Sequence, residues 1–399
     1  MSKRSMAALL GAGALAVTAL TASAPSADAS VPHLTRLPGL HAQRVCAKTP
    51  AAGHATCLAK VMVDSRGAVP HASGPLSTAL SPAQLKAAYG LNGTDGAGRT
   101  VAIVDAYGYP NLERDLTIYR SQYGMPACTT ANGCLRIRDQ NGGTNLPRTN
   151  VGWDQEQALD VDAVSATCPS CKILVVQARS TSFANLGTAV NTAAASAGVV
   201  AISNSYGGGD AADSSYGSYY HHTGIAVTAS TGDNGYQGGS YPASSTYVTA
   251  VGGTSLKMSG TTRVSETVWS GAGSGCSTLN AAIAAAASFD TGCAKRAMAD
   301  VAAAADPNTG GLSVYAPTSA RKSTWSQYGG TSESSPIIAS VYALAGSDYS
   351  NATPYAHPGN LFDITSGSNG TCPTTQWCHA RAGWDGPTGL GTPNGTGAF

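Results

Sequence analysis

The strongest constraint on this chain is a repeated alternation. Short apolar runs read as buried strands: "RTVAIVDAYG" from Arg99, "KILVVQA" from Lys172, "VVAISNSYG" from Val199, "GIAVTASTGD" from Gly224 and "YVTAVGGTSL" from Tyr247. Between the first three lie segments with helical character, "NLERDLTIYRSQYG" from Asn111 and "FANLGTAVNTAAASAG" from Phe183. Strands alternating with helices predict an α/β fold, a parallel sheet flanked by helices on both faces. In such sheets the chemistry gathers in loops and helix starts at the carboxyl ends of the strands.

Only 11% of the 399 residues are charged, and the net charge is +1 with no basic stripe. Nucleic acid and anionic membrane surfaces are therefore not expected partners. Lys3 and Arg4 precede an apolar run, and Ala27-Asp28-Ala29 supplies small residues at cleavage positions, so residues 1–29 read as a signal peptide. The expected product is secreted, soluble and monomeric. Residues 30–84, rich in Pro, Ala, Ser and His, read as a short propeptide or N-terminal extension, and 85–399 as the main domain. Near that boundary "SPAQLKAAYGL" predicts a helix capped by Ser81, with Pro82 in its first turn. The ten cysteines of an exported chain read as disulfides, and they fall into five close neighbours, although spacing alone does not fix connectivity.

One segment crowds acids. "VGWDQEQALDVDAVSATCPSCK" from Val151 holds Asp154, Glu156, Asp160 and Asp162 without a Lys or Arg among them. On a helix Glu156 and Asp160, at i and i+4, share a face, where like charges repel. If that face is partly buried, one carboxyl keeps its proton, and such a pair can accept a proton from a hydroxyl at acidic pH. Asp154 and Asp162 are expected to face water.

A second element is "WSQYGGTSESSPIIASVYALAG", in which Gly329-Gly330-Thr331-Ser332 leads to Pro336 and an apolar helix. Because Pro is tolerated in a first turn, Ser332 is expected at or near the helix start, as a nucleophile or as an ordinary N-cap. A third is Asp233 in the Gly-Asp-Asn-Gly turn of "TASTGDNGY", either an Asx turn or, if protonated, a donor to an oxyanion. Between Asp105 and Ser332 the only histidines are His221 and His222, in a Tyr-rich polar stretch. A Ser-His-Asp set using Asp105 and His222 is the weaker arrangement.

Taken in order, these elements resemble the sedolisin family, the serine-carboxyl peptidases. The resemblance rests on Glu156-x-x-x-Asp160, "SNSYG", "STGDNGY", "AVGGTS", "ADVAAAADPNTG", "GGTSESSP" and the closing "DITSGSNG" and "AGWDGPTGLGTPNG", and runs from about Ser81 to the C-terminus. It implies a subtilisin-like fold and an endopeptidase acting on proteins or peptides at acidic pH. Ser332 would be the nucleophile, Glu156 its base, Asp160 the support of Glu156, and Asp233 the oxyanion donor. Asp105 and Tyr206 stand where the family extends this network with other residues. The resemblance also implies one structural calcium, held by the side chains of Asp363 and Asp385 and the carbonyls of Ile364, Arg381 and Gly383, with Arg381 where glycine is usual. The alternative is an inactive relative serving as a binding module.

Overall fold

Three strands come from the segment read as an extension: β1 (His41–Arg44), β2 (Thr56–Cys57) and β3 (Lys60–Val63). The computed structural model describes residues 39–46, 50–347 and 349–399, and the expected signal peptide lies outside them. Helix α1 (Pro82–Ala88) follows, closed by a capping box in which Ser81 and Gln84 exchange side-chain and backbone hydrogen bonds. Next come β4 (Thr100–Ala106), α2 (Leu112–Gln122), β5 (Leu135–Asp139), α3 (Val151–Thr167), β6 (Lys172–Ala178) and α4 (Phe183–Ala194). After β7 (Val199–Asn204) and β8 (Tyr206–Gly209), a short α5 (Asp213–Tyr216) leads to β9 (Ala226–Ser230).

The main sheet has eight strands. From one edge it runs Thr262–Val268, Thr249–Ser259, β9, β7, β4, β6, β5, with Val301–Ala304 also paired to Thr249–Ser259. All these pairings are parallel except that of Thr262–Val268. Side chains alternate across it as the pleat requires. Val101 and Ile103 of β4 join the core under α2, α3 and α6 (Thr331–Ala345), whereas Ala102, Val104 and Ala106 join the core under α4. The expected two-faced α/β sheet is what forms.

A second, antiparallel sheet was not anticipated. Its order is β1, β3, Lys322–Gly329, Leu312–Ser319, so the N-terminal strands extend a hairpin more than 250 positions away. A third small sheet sets β2 antiparallel to β8. The cysteines pair as neighbours: Cys46–Cys57, Cys128–Cys134, Cys168–Cys171, Cys276–Cys293 and Cys372–Cys378. Among the described residues no helix is long and apolar enough to cross a membrane.

Helix α3 corrects one expectation. Asp154 and Asp162 do not face water; both are buried, as is every residue from Trp153 to Thr167. The helix is enclosed by α1, α2, α6, β4 and the strand Leu312–Ser319, so beyond Gly152 no side of it reaches solvent. Asp154 Oδ2 accepts from the Thr149 hydroxyl at 2.8 Å, its Oδ1 having no hydrogen-bond partner among the described residues, and Asp162 Oδ2 accepts from the Tyr315 N–H at 3.3 Å. Burial nevertheless raises both, Asp154 to about 6.

Candidate active site

Helix α3 carries Glu156 and Asp160 on the side that meets β4 and α6, and both are fully buried. Glu156 Oε2 accepts the Ala59 N–H at 2.7 Å, while Oε1 has no hydrogen-bond partner among the described residues. Burial pushes Glu156 up to about 8, opposed chiefly by the nearby Ser332 hydroxyl and the Ala59 N–H. Asp160 is pushed well above the usual carboxylate range by burial, then by Asp105 and Glu156. Asp105 is the penultimate residue of β4, fully buried, with neither carboxyl oxygen hydrogen-bonded among the described residues. Burial, then Glu156, holds it well above the usual range too. The three acids form one proton-retaining group with no basic side chain paired to it among the described residues.

Ser332 lies at the second position of α6, behind the N-cap Gly330, whose φ of 107° belongs to glycine. Pro336 is not in the first turn as expected but inside the helix, which begins at Thr331. A proline there offers no N–H to the carbonyl four residues earlier, that of Ser332. The freed carbonyl is taken by the Ser205 hydroxyl at 3.2 Å, and the Ser332 hydroxyl in turn donates to the Ser205 carbonyl at 3.2 Å. This reciprocal pair fixes the helix start to the junction of β7 and β8. Its second helical position also sets Ser332 at the positive end of α6.

Asp233 follows β9, at the carboxyl edge of the sheet. Its Oδ1 accepts from the Thr331 N–H at 2.8 Å and the Thr331 hydroxyl at 2.9 Å, which ties the turn to the start of α6. Its Oδ2 is buried without a hydrogen-bond partner and lies beside Gly330. Burial raises Asp233, against the opposing pull of Lys60 and of the two Thr331 bonds. A carboxyl so placed can hold its proton on Oδ2 and donate it as a hydrogen bond.

Two other residues behave differently. The Tyr206 hydroxyl hydrogen-bonds to Asn204 Oδ1 at 2.8 Å, on the side of the sheet whose core lies under α4. His222 Nε2 is engaged by the Tyr219 carbonyl at 2.9 Å, and no histidine hydrogen-bonds Ser332 among the described residues. Ser205, Leu58, Ala59 and Lys60 belong to the site without having been singled out in the sequence. Ser205 sits within "SNSYG", but nothing in the polar, aperiodic N-terminal segment marks the other three.

At the C-terminal end the fold brings Asp363 and Asp385 together, 22 positions apart in sequence, close enough that Asp363 raises Asp385. Burial is the larger cause, and Asp385 reaches about 7. The Arg381 guanidinium does not neutralise them; it reaches Asp290. Gly383 N–H donates to Asp363 Oδ2 at 2.9 Å, and Ile364 is buried beside Asp363 in sequence. Among the described residues no three His, Cys, Asp or Glu side chains cluster so as to hold a metal ion. Two neighbouring carboxyl groups, without a cationic partner among the described residues, are hard oxygen donors of the kind calcium takes.

Comparison with known proteins shows what the chain as a whole is similar to. A sequence profile of the subtilase family matches residues 142–369. The chain is 31% identical over 360 residues to kumamolisin of Bacillus sp. (strain MN-32), covering 80% of this chain and 62% of that protein. It is 33% identical over 181 residues to xanthomonalisin of Xanthomonas sp. (strain T-22), covering 38% of this chain and 21% of that one. The chain thus spans less than two thirds of the length of these relatives. Among solved structures, Pseudomonas sedolisin, a serine-carboxyl proteinase complexed with two molecules of pseudo-iodotyrostatin, superposes with a TM-score of 0.67 at 23% identity. That match covers 79% of this chain and 95% of the other.

Proposed function

Because the chain belongs to the subtilase family, in its sedolisin branch, we propose that it is a secreted serine-carboxyl endopeptidase that hydrolyses proteins and peptides at acidic pH. The observation that carries this reading is that Ser332 neighbours the buried Glu156, while the unpartnered Oδ2 of Asp233 lies beside Gly330, at the start of the helix that bears Ser332. Ser332 Oγ adds to the substrate carbonyl carbon while Glu156 takes its proton. Neutral Asp233 donates from Oδ2 to the oxyanion. Glu156 then returns the proton to the leaving nitrogen, and water hydrolyses the ester by the same route reversed.

Asp160 and Asp105 supply the retained protons that keep Glu156 from facing two bare carboxylates. The high value of Glu156 belongs to a site closed to water. Water admitted with the substrate would relax the dominant desolvation and let Glu156 ionise at lower pH. Once Asp160 and Asp233 ionise, support and oxyanion donor are both lost, so activity falls as pH rises. The test is a mass-detected acyl-enzyme. The wild-type chain gains the mass of an acyl group at Ser332 from a peptide ester, and Ser332→Ala does not while keeping its circular dichroism. No adduct at any pH from 3 to 8 would favour an inactive binding module.

The Asp363 and Asp385 carboxyls, with the carbonyls of Ile364, Arg381 and Gly383, would hold one calcium ion and rigidify the C-terminal segment. Chelation is expected to lower the melting temperature reversibly, and calcium added back in excess of its dissociation constant to restore it.

A further inference from the structure

The turn that carries Asp233 leans on a second segment, residues 271–274. On one side of Asp233 the Gly273 N–H donates to the Gly232 carbonyl at 2.7 Å. On the other, the Gly235 N–H donates to the Gly271 carbonyl at 2.9 Å and the Gln237 N–H to the Ser274 carbonyl at 3.1 Å. The approach is so close that a Cβ on Gly273 would meet the Thr231 carbonyl oxygen at 2.2 Å. Whatever fixes residues 271–274 therefore also fixes Asp233.

Asn369 grips both layers. Its Nδ2 donates to the Ala272 carbonyl at 2.6 Å and to Ser274 Oγ at 2.8 Å, and its main-chain carbonyl accepts the Tyr236 N–H at 3.2 Å. The residue is itself held firmly. Its N–H donates to the Cys378 carbonyl at 3.0 Å, Ser368 bridges to His379, and the Cys372–Cys378 disulfide closes the loop between them. Next to these contacts the rings of Tyr236 and Trp377 lie within 10° of parallel, their centroids 6.3 Å apart.

The contacts call for a carboxamide. The Ser274 hydroxyl commits its proton to the Trp377 carbonyl at 2.6 Å, so toward Asn369 it can only accept, as can the Ala272 carbonyl. An NH2 group has two hydrogens and serves both acceptors, whereas a carboxylate would set oxygen against oxygen twice. The same orientation leaves Asn369 Oδ1 buried with no hydrogen-bond partner among the described residues. A side chain that only filled space would avoid that orphaned oxygen.

Resting on the peptidase reading above, we propose that Asn369 is a positioning residue for peptide hydrolysis, the clamp that sets where Asp233 Oδ2 stands relative to Ser332. The Asp233 carboxyl is held at Oδ1 by Thr331, the residue before the nucleophile on α6. The main chain around it is held by Asn369, directly through Tyr236 and indirectly through residues 271–274. With both held, Oδ2 keeps one place while the oxyanion forms, and no reorganisation is needed at that moment. Being buried, Asn369 acts through Asp233 rather than on the substrate.

The experiment measures kcat and KM on casein at acidic pH for the wild-type chain, Asn369→Ala, Asp233→Ala and the double variant, with circular dichroism of each. Losing an oxyanion donor outright lowers kcat by about 10²–10³-fold, and that is expected of Asp233→Ala. Asn369→Ala should lower kcat by roughly 10–100-fold, the scale of a donor displaced by a fraction of its length, with KM little changed. In the Asp233→Ala background the Asn369→Ala step should have no further effect, because no donor is left to misplace. Ser274→Ala loosens the same clamp at one point and should lower kcat by a smaller factor; it carries the test if Asn369→Ala does not fold. A kcat unchanged in both clamp variants, or lowered equally with and without Asp233, overturns this inference and leaves the peptidase reading standing. A wild-type chain without turnover at any pH from 3 to 8 overturns the peptidase reading and this inference together.

Discussion

Two buried acidic regions of this molecule are built on opposite terms. Asp300 is fully buried and fully satisfied. Arg296 grips both of its oxygens, Tyr355 donates to Oδ1 at 2.6 Å, and the Ala250 N–H donates to Oδ2 at 2.7 Å. Glu156, Asp160 and Asp105 are equally buried, yet among the described residues no cation pairs with them and five of their six carboxyl oxygens lack a hydrogen-bond partner. The first region tolerates a charge by neutralising it; the second avoids the charge by keeping protons. An acid of the first kind holds structure together, and one of the second kind is available for proton transfer.

The contrast can be broken from either side. The largest effect is expected from Glu156→Gln, which keeps the shape of the side chain but removes the proton acceptor. Turnover should fall by about 10²–10⁴-fold, the usual share of general acid–base catalysis, with little loss of melting temperature. Asp300→Ala should do the reverse. It strands a buried guanidinium at a cost of about 3–5 kcal/mol, visible in urea unfolding, while turnover per folded molecule is unchanged. If both variants lost stability alike, the two regions would not differ as described.

A smaller effect sharpens the same contrast through pH. Glu156, Asp154, Asp160 and Asp105 have folded values raised above their unfolded ones, so the folded state binds more protons than the unfolded chain. Stability from these groups is complete below about pH 4 and is lost as pH rises, through about 6 for Asp154 and about 8 for Glu156. The urea midpoint should decline from pH 5 to pH 8, and Glu156→Gln should flatten the upper part of that decline. A midpoint that climbs over this range contradicts the assignment.

Much of this was legible before any coordinates. "KILVVQA" is β6 residue for residue, and the spacing of Glu156 and Asp160 does put them on one face of a helix. Legibility failed where distant segments decide. "VVAISNSYG" reads as one strand, but it breaks at Ser205 into β7 and β8, because Tyr206 and Gly207 pair with β2. Asp154 and Asp162 look like a solvated face, since nothing local reveals that five other elements enclose α3. Ala59 enters the site only through Glu156, 97 positions away, and no periodicity in residues 30–84 forecasts that contact.

The central claim is that carboxyls, and no imidazole, move the proton of Ser332. It is tested most directly by the pH dependence of kcat/KM on a protein substrate, measured for the wild-type chain and for His222→Ala. The account predicts identical profiles for the two, highest at acidic pH and falling as Asp160 and Asp233 ionise. A rate that instead climbs to a maximum above pH 8, and is lost in His222→Ala, would contradict it.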